Sequence, residues 1–157
     1  MIEIERKFLV LSDDYKKNAH NRTLIIQGFL NTHKERTVRV RVKGKKGYLT
    51  VKGESSLDGT SRFEWEKDIS KTDAEALLNL CEPGTIKKIR YEVKEGNHVY
   101  EVDEFHDDNL GLVIAEIELN DKLESFEKPK WLGEEVTGDM RYYNSQLSKN
   151  PYAQWVK

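Results

Sequence analysis

Segments in which apolar and charged residues alternate recur along almost the whole chain, and they constrain its fold more than any other feature. Residues 36–43 are the clearest case, because Val38, Val40 and Val42 alternate with basic side chains. This two-residue period places the two kinds of side chain on opposite faces of a β-strand. We predict eight strands, one of them the mainly apolar run 23–31. Their ranges are 2–10, 23–31, 36–43, 48–53, 61–69, 86–94, 98–105 and 112–119.

Helical patterns occur at three places. A capping box formed by Thr72 and Glu75 predicts the start of one helix, and Pro83-Gly84 predicts its end. We expect a short helical turn within 12–20 and a further helix over about 137–151. The apolar face of the first helix comprises Ala74, Leu77, Leu78 and Cys81.

On the charged face of the predicted strands, side chains of the same sign stand two residues apart. Such neighbours are only ~6–7 Å apart and repel each other, so an open sheet with one wet face gains nothing from them. A closed barrel with the charges in its lumen would concentrate both signs. We therefore predict an α+β, mainly β fold: an eight-stranded antiparallel β-barrel tunnel with helices packed outside, in a single domain spanning residues 1–157. The pairs are Glu3/Glu5, Arg39/Arg41, Glu64/Glu66, Lys88/Arg90, Glu101/Asp103 and Glu116/Glu118.

Composition limits the classes of function. Charged residues make up 34% of the chain and hydrophobic ones 37%, and the net charge of −2 argues against general nucleic-acid or membrane-surface binding. No apolar run approaches the roughly 20 residues of a membrane span, and Glu3 and Glu5 interrupt any signal-peptide pattern. Cys81 is the single cysteine, so an internal disulfide is excluded and we expect a cytoplasmic protein.

The predicted lumen charges indicate which ligand would neutralise them. Arginine suits bidentate phosphate contacts, and lysine acts as a point charge. Carboxylates would repel a bare polyphosphate but not one that carries divalent metal, and without histidine or cysteine they favour Mg²⁺ or Mn²⁺ over zinc. We therefore expect a metal-complexed phosphate chain. The cationic candidates are Arg39, Arg41, Lys52, Arg62, Lys88 and Arg90.

The chain opens with Glu3-Ile4-Glu5-Arg6-Lys7, an ExExK pattern, and an ordered set of further matches follows. Together they resemble the CYTH superfamily, the triphosphate tunnel metalloenzymes, over nearly the whole chain. The resemblance implies a barrel tunnel that binds triphosphates and divalent metal, and a chain without a fused domain most resembles the inorganic triphosphatases. The other matches are Gln27-Gly28, Arg39-Val40-Arg41, Leu49-Thr50-Val51-Lys52-Gly53, Arg62-Phe63-Glu64-Trp65-Glu66, Lys88-Ile89-Arg90, Glu101-Val102-Asp103-Glu104-Phe105, Ala115-Glu116-Ile117-Glu118-Leu119, and Glu135-Val136-Thr137 with Arg141-Tyr142 and Asn144.

The same resemblance implies roles for individual residues. Metal is expected on Glu3, Glu5, Glu116 and Glu118, with Asp103 and Glu101 as further candidates. Phosphate is expected on Lys7, Arg39, Arg41, Lys52, Lys88 and Arg90, to which Arg62 is added from its charge. The tunnel is expected to be lined by Glu64, Glu66 and Glu101. Catalysis is expected to involve Glu5, Lys7, Lys88 and Arg90, with Lys7 either a phosphate ligand or a base.

Hydrolysis of inorganic tripolyphosphate is the predicted reaction, and three alternatives stay open. They are a class IV adenylate cyclase that makes cyclic AMP from ATP, a thiamine triphosphatase, and a polyphosphate-binding module without enzyme activity. The family often has Gln-Gly-Tyr in the second strand, where this chain has Gln27-Gly28-Phe29. A phenolic hydroxyl is therefore missing, which bears on substrate preference. The expected partner is a small triphosphate, with no nucleic acid or membrane, and a homodimer is left open.

Overall fold

The computed structural model describes residues 1–156, in which strands predominate over short helices. The strands are β1 (Ile2–Val10), β2 (Ala19–Asn31), β3 (Arg36–Lys43), β4 (Lys46–Gly53), β5 (Ser61–Ile69), β6 (Ile86–Glu95), β7 (His98–Phe105), β8 (Val113–Leu119) and β9 (Leu132–Glu135). The α-helices are α1 (Tyr15–Asn18), α2 (Lys71–Leu78) and α3 (Asn144–Leu147). Turns of 3₁₀ helix span Asp107–Asn109, Met140–Tyr142 and Tyr152–Gln154. None of the helices in this described part of the chain is long and apolar enough to cross a membrane.

Eight of the strands close into an antiparallel barrel, which confirms the predicted fold class. Hydrogen-bonded neighbours follow the order β5-β4-β3-β2-β6-β7-β8-β1. The ring closes on β1, because residues 2–4 pair with β5 along one edge while the other edge pairs with β8. Farther along the first edge, Phe8 and Val10 pair with β9, a short strand that was not predicted from the sequence. β1 therefore joins the two ends of the sheet.

Inward-facing side chains change from charged to apolar along the barrel axis. On β1, Glu3, Glu5 and Lys7 border the lumen cavity, whereas Leu9 packs into an apolar cluster. That cluster fills one end of the barrel and includes residues from the chain beyond the last barrel strand. We call residues 136–147 the C-terminal segment. The buried members of the cluster are Phe29, Ile86, Phe105, Leu112, Ile114, Val136, Tyr142 and Leu147.

The outer surface of the barrel carries two further apolar clusters. Tyr15 and Trp131 belong to the larger one, and their rings meet edge-on with centroids 5.9 Å apart. α2 covers the other, where Ala74 packs against Val40 and Val42. Leu77 and Leu78 join the same cluster, which confirms the predicted apolar face within the helix. α2 ends at Leu78, before the predicted stop at Pro83-Gly84, so Cys81 packs into the cluster from beyond the helix. Helices thus lie outside the barrel, as the fold prediction required.

Two helix predictions are corrected by the structure. Ser70, not Thr72, caps α2, because its hydroxyl accepts a hydrogen bond from the backbone N–H of Asp73 at 3.0 Å. The helix expected over 137–151 is replaced by two short pieces, Met140–Tyr142 and Asn144–Leu147. On a regular helix, positions 136 and 147 would share one side, but position 142 would point about 120° away from them. Filling the barrel end with all three therefore requires an irregular backbone.

Candidate active site

The charges of the lumen are sorted into two walls of adjacent strands. Basic side chains come from three strands on one side of the barrel, β4, β3 and β6; β2 lies between β3 and β6. Carboxylates predominate on the other side, on β7, β8, β1 and β5. Lys7 on β1 and Arg62 on β5 are the cations on the carboxylate side. The basic wall comprises Arg39, Arg41, Lys52, Lys88 and Arg90, and the acidic wall comprises Glu3, Glu5, Glu64, Glu66, Glu101, Asp103, Glu116 and Glu118. The like charges are balanced where the two walls meet, because Asp103 on β7 contacts Lys88 on the adjacent β6 and Glu64 on β5 contacts Lys52 on the adjacent β4.

A cavity with an empty volume of about 790 Å³ lies between the two walls. It extends to Ser55 and residues 59–61, in the connection from β4 to β5 and at the start of β5, and to the C-terminal segment. The predicted site residues that line it are Glu3, Glu5, Lys7, Arg39, Lys52, Arg62, Lys88, Arg90 and Glu116.

Most of the remaining predicted site residues contact this lining, whereas Arg41 contacts Glu66 and Glu118 is exposed beside Glu101 in a second pocket. Glu66 accepts a hydrogen bond from the Thr50 hydroxyl at 2.7 Å and lies 3.5 Å from Arg41. Glu101 contacts Arg90 at 3.2 Å, and Glu64 lies 3.7 Å from Lys52. Residues in this second group are Arg41, Glu64, Glu66, Glu101, Asp103 and Glu118. The barrel thus divides the predicted residues into a cavity lining and an adjacent layer, with Glu118 at an exposed position beside that layer.

Lys88 is the most enclosed cation of the site, with 1% of its surface exposed. Its ammonium donates to Asp103 at 2.7 Å and to the side-chain carbonyl of Asn144 at 3.0 Å. Arg90 donates to both oxygens of the same Asp103, at 2.8 and 2.9 Å. Burial lowers the pKa of Lys88 to about 8. Although burial raises the pKa of Asp103, the two cations outweigh it and hold that pKa below its usual value.

The carboxylates of β1 and β8 are crowded together in the acidic wall. Glu5 stands directly opposite Glu118 in the strand register. Burial, reinforced by the charge of Glu116, raises the pKa of Glu5 to about 8. Burial also raises the pKa of Glu3 and of Glu118. Glu116 behaves differently, because neighbouring cations, Lys7 first, outweigh its burial and lower its pKa to about 2.

Two arginine side chains of the basic wall present donors that are unused in the described chain. The Nε–H groups of Arg39 and Arg41 are buried and have no hydrogen-bond partner. A buried donor without a partner costs ~1–3 kcal/mol, so such groups usually mark a ligand or ordered water. Burial and the neighbouring charge of Arg39 also lower the pKa of Arg41 to about 9. The basic wall is therefore suited to an anion that accepts these hydrogen bonds.

The C-terminal segment contributes contacts that the charge pattern did not indicate. Thr137 accepts a hydrogen bond from the backbone N–H of Lys7 at 2.9 Å, and the Lys7 ammonium lies 4.8 Å from the centre of the Tyr143 ring. Asn144 reaches Lys88, as described above. The available sequence signal was the match of Thr137 and Asn144 to the end of short CYTH members. That match gave no role to either residue.

Close packing joins the β4–β5 loop, residues 54–60, to the C-terminal segment. Gly59 and Gly138 both have positive φ angles, +77° and +81°, and a Cβ added to Gly59 would overlap the Cα of Gly138. The Tyr143 hydroxyl donates to Ser55 at 3.2 Å across the same contact. Because Arg62 lies 5.8 Å from the Tyr143 ring, this contact also borders the cation-lined cavity.

The family resemblance implies a divalent metal ion, and the placement of the carboxylates can be compared with the ligands that such an ion needs. Within residues 1–156, no three histidine, cysteine, aspartate or glutamate side chains converge closely enough to hold a metal ion by themselves. Mg²⁺ is usually held by one or two carboxylates together with water and substrate phosphates, so a converged cage is not required. Glu5 and Glu118 stand opposite each other on neighbouring strands and can both offer oxygen ligands. The donor set therefore fits a hard divalent cation.

Comparison with known proteins agrees with this geometry. Residues 1–150 match the CYTH domain family. The inorganic triphosphatase of Acetivibrio thermocellus is 52% identical over 151 residues, which cover 96% of this chain and 95% of that protein. The inorganic triphosphatase of Nitrosomonas europaea is 35% identical over 152 residues, which cover 94% and 97%.

A solved structure has the same barrel. The crystal structure of the inorganic triphosphatase NE1496 has a TM-score of 0.65 at 31% sequence identity, and the alignment covers 98% of this chain and 95% of that one. The family match likewise spans nearly the whole chain. This protein therefore belongs to the CYTH domain family, and a divalent metal ion is implied for it.

Proposed function

We propose that this protein hydrolyses inorganic tripolyphosphate to diphosphate and phosphate with the help of Mg²⁺ or Mn²⁺. The observation that carries the proposal is the division of one lumen into a basic wall and an acidic wall. A triphosphate bound to the basic wall would turn its outer oxygens toward the carboxylates of the acidic wall. A divalent cation would offset the negative charge of the phosphate oxygens and of these carboxylates. Both relatives compared above are named inorganic triphosphatases, which supports the same substrate.

The contacts in the site support separate roles for the predicted residues in binding phosphate, binding metal and positioning other side chains. We assign phosphate binding to Lys7, Arg39, Arg41, Lys52, Arg62, Lys88 and Arg90, and metal binding to Glu3, Glu5, Glu116 and Glu118. Asp103 is assigned instead to positioning Lys88 and Arg90, because its oxygens already accept from both. Glu101 and Glu66 pair with arginines of the basic wall and would set their orientation.

The reaction requires attack of a water oxygen on the terminal phosphorus as the bridging P–O bond breaks. The leaving diphosphate takes the bonding electrons, and the proton of the water passes to solvent. When bound, the divalent metal would offset phosphate charge and lower the pKa of the attacking water. Arg39, Arg90 and Lys88 would stabilise charge on the phosphoryl oxygens in a loose transition state. Lys7 lies 3.8 Å from the Glu116 carboxylate, which supports a role as a charged phosphate ligand rather than a base.

The proposal is tested by measuring phosphate release from tripolyphosphate, ATP and thiamine triphosphate in parallel. Each substrate is assayed with Mg²⁺, with Mn²⁺ and with a chelator, and the ATP reactions are also analysed for cyclic AMP. We expect metal-dependent cleavage of tripolyphosphate well above that of the two organic triphosphates. Cyclic AMP without phosphate release would instead assign the protein to the cyclases. Binding of tripolyphosphate without turnover would make it a polyphosphate-binding module.

The proposed binding partner follows from the charges of the site, and the proposed location follows from the cysteine content. The partner is a small metal-bound triphosphate rather than a nucleic acid. The single cysteine, Cys81, is compatible with a reducing cytoplasm, which we propose as the location. A homodimer stays a prediction, and size-exclusion chromatography with light scattering tests it.

A further inference from the structure

Asn144 accepts two hydrogen bonds on one oxygen inside the site. Its Oδ1 lies 3.0 Å from the Lys88 ammonium and 2.8 Å from Nε2 of Gln27. An ammonium group can only donate, so the Asn144 atom that faces Lys88 must be the oxygen. The Gln27 atom next to that oxygen must then be the amide nitrogen. The ammonium of Lys88 therefore sets the orientation of both amides.

This orientation leaves the amide nitrogen of Asn144 facing away from Lys88 and Gln27. Asn144 lines the cavity between the two walls. Across residues 1–156, the structure gives its Nδ2 no hydrogen-bond partner. The two N–H groups of this atom are thus free donors beside the cations that we assign to phosphate.

The backbone around Asn144 is held by buried neighbours. Asn144 is the first residue of α3, and the next residue, Ser145, is buried. Tyr142 and Leu147 on either side belong to the apolar cluster that fills the barrel end. The Asn144 side chain therefore reaches the cavity from a packed segment. Because this segment is already ordered, less conformational entropy is lost when Asn144 contacts a ligand.

We propose that Asn144 binds the substrate directly, donating from Nδ2 to a phosphoryl oxygen while its Oδ1 positions Lys88. This inference rests on the proposed triphosphatase function and adds a neutral donor to its charged phosphate ligands. A neutral amide suits this place, because a further cation next to Lys88 would be repelled. Asn144 also couples substrate binding to the C-terminal segment, since it belongs to that segment and reaches across to β6.

The variant Asn144→Asp separates the two roles. One carboxylate oxygen can still accept from Lys88 and Gln27, so folding is retained, but the other oxygen cannot donate and would repel phosphate. Because a hydrogen bond to a charged group is lost, substrate binding weakens, and KM for tripolyphosphate should rise at least about tenfold. Asn144→Ala removes both roles, so kcat should fall together with the rise in KM. Asn79→Asp places the same charge at the exposed end of α2 and should match the wild type in both constants.

Substrate binding is measured separately as the rise in melting temperature with Mg²⁺ and a methylene-bridged analogue of tripolyphosphate, which cannot be hydrolysed. We expect the wild type and Asn79→Asp to be stabilised and both Asn144 variants to lose most of that rise. If the wild type cleaves tripolyphosphate but both Asn144 variants keep its KM and its stabilisation, the inference alone is wrong. If the wild type neither cleaves tripolyphosphate nor is stabilised by the analogue with Mg²⁺, the proposed function fails and the inference fails with it.

Discussion

The ammonium of Lys88 lies 2.7 Å from the carboxylate of Asp103, and only 1% and 2% of these residues is exposed. Arg90 donates to both oxygens of the same carboxylate. One buried anion thus compensates two buried cations in the basic wall. The like-charged pair at positions 88 and 90 is stable because the neighbouring strand supplies this carboxylate.

Replacing Asp103 by Asn should strongly destabilise the protein. The change leaves Lys88 and Arg90 buried with less compensating charge, and breaking a buried ion pair costs about 3–5 kcal/mol. The free energy of unfolding is measured by urea denaturation. Asp108→Asn, in an exposed turn, is the matched control and should be near neutral. Equal denaturation midpoints for the two variants would show that Asp103 does not carry this compensation.

Glu5→Gln should remove metal-dependent activity while increasing stability. Burial raises the pKa of Glu5 to about 8 in the folded protein, so at neutral pH folding must protonate a carboxylate that is ionised in the unfolded chain, and this costs stability. A neutral amide avoids this cost but is a poorer metal ligand, and we expect turnover of tripolyphosphate to fall by roughly 100-fold or more.

Phosphate release as a function of Mg²⁺ concentration and thermal melting measure the two effects. Glu134→Gln changes an exposed carboxylate of β9 and should alter neither. Full activity of Glu5→Gln at all Mg²⁺ concentrations would remove Glu5 from the metal site.

Arg39→Lys should weaken tripolyphosphate binding although the charge is kept. The Nε–H of Arg39 is buried without a partner in the described chain, and lysine cannot reproduce a two-point contact with phosphate. We expect KM to rise roughly tenfold, as for loss of one hydrogen bond to a charged group. Steady-state kinetics on tripolyphosphate measure this change. The matched control is Arg36→Lys at the exposed start of the same strand, and identical KM values for the two variants would contradict the assignment.

Gly59→Ala should disrupt the contact between the β4–β5 loop and the C-terminal segment. The new Cβ would overlap Gly138, and the φ angle of +77° disfavours any residue with a Cβ. Gly44→Ala is the control, because its φ is +60° but its Cβ would meet only Thr23, at 3.6 Å. The left-handed backbone costs both variants about 1–2 kcal/mol. Gly59→Ala should lose roughly 1–3 kcal/mol more through overpacking, as chemical denaturation would measure. A difference close to zero would mean that the loop shifts without cost.

The strand pattern could be predicted because it is local. Alternation along a strand depends only on which face each residue occupies, so Val38, Val40 and Val42 indicate a strand without knowledge of its neighbours. β9 has no such alternation in Leu-Gly-Glu-Glu and forms because β1 offers it a free edge at Phe8 and Val10. Its existence depends on a partner strand more than 100 residues away.

The amino-acid sequence by itself determined the barrel strands, the outer helix face and the set of charges directed into one lumen. Tertiary structure alone decided how those charges pair, since Asp103 meets Lys88 and Arg90 through the register of β6 and β7. It also decided the role of the C-terminal segment, where Asn144 reaches Lys88 across 56 residues of sequence. Periodicity reports the direction of a side chain relative to its own backbone, whereas pairing depends on distances between distant segments that only the folded chain defines.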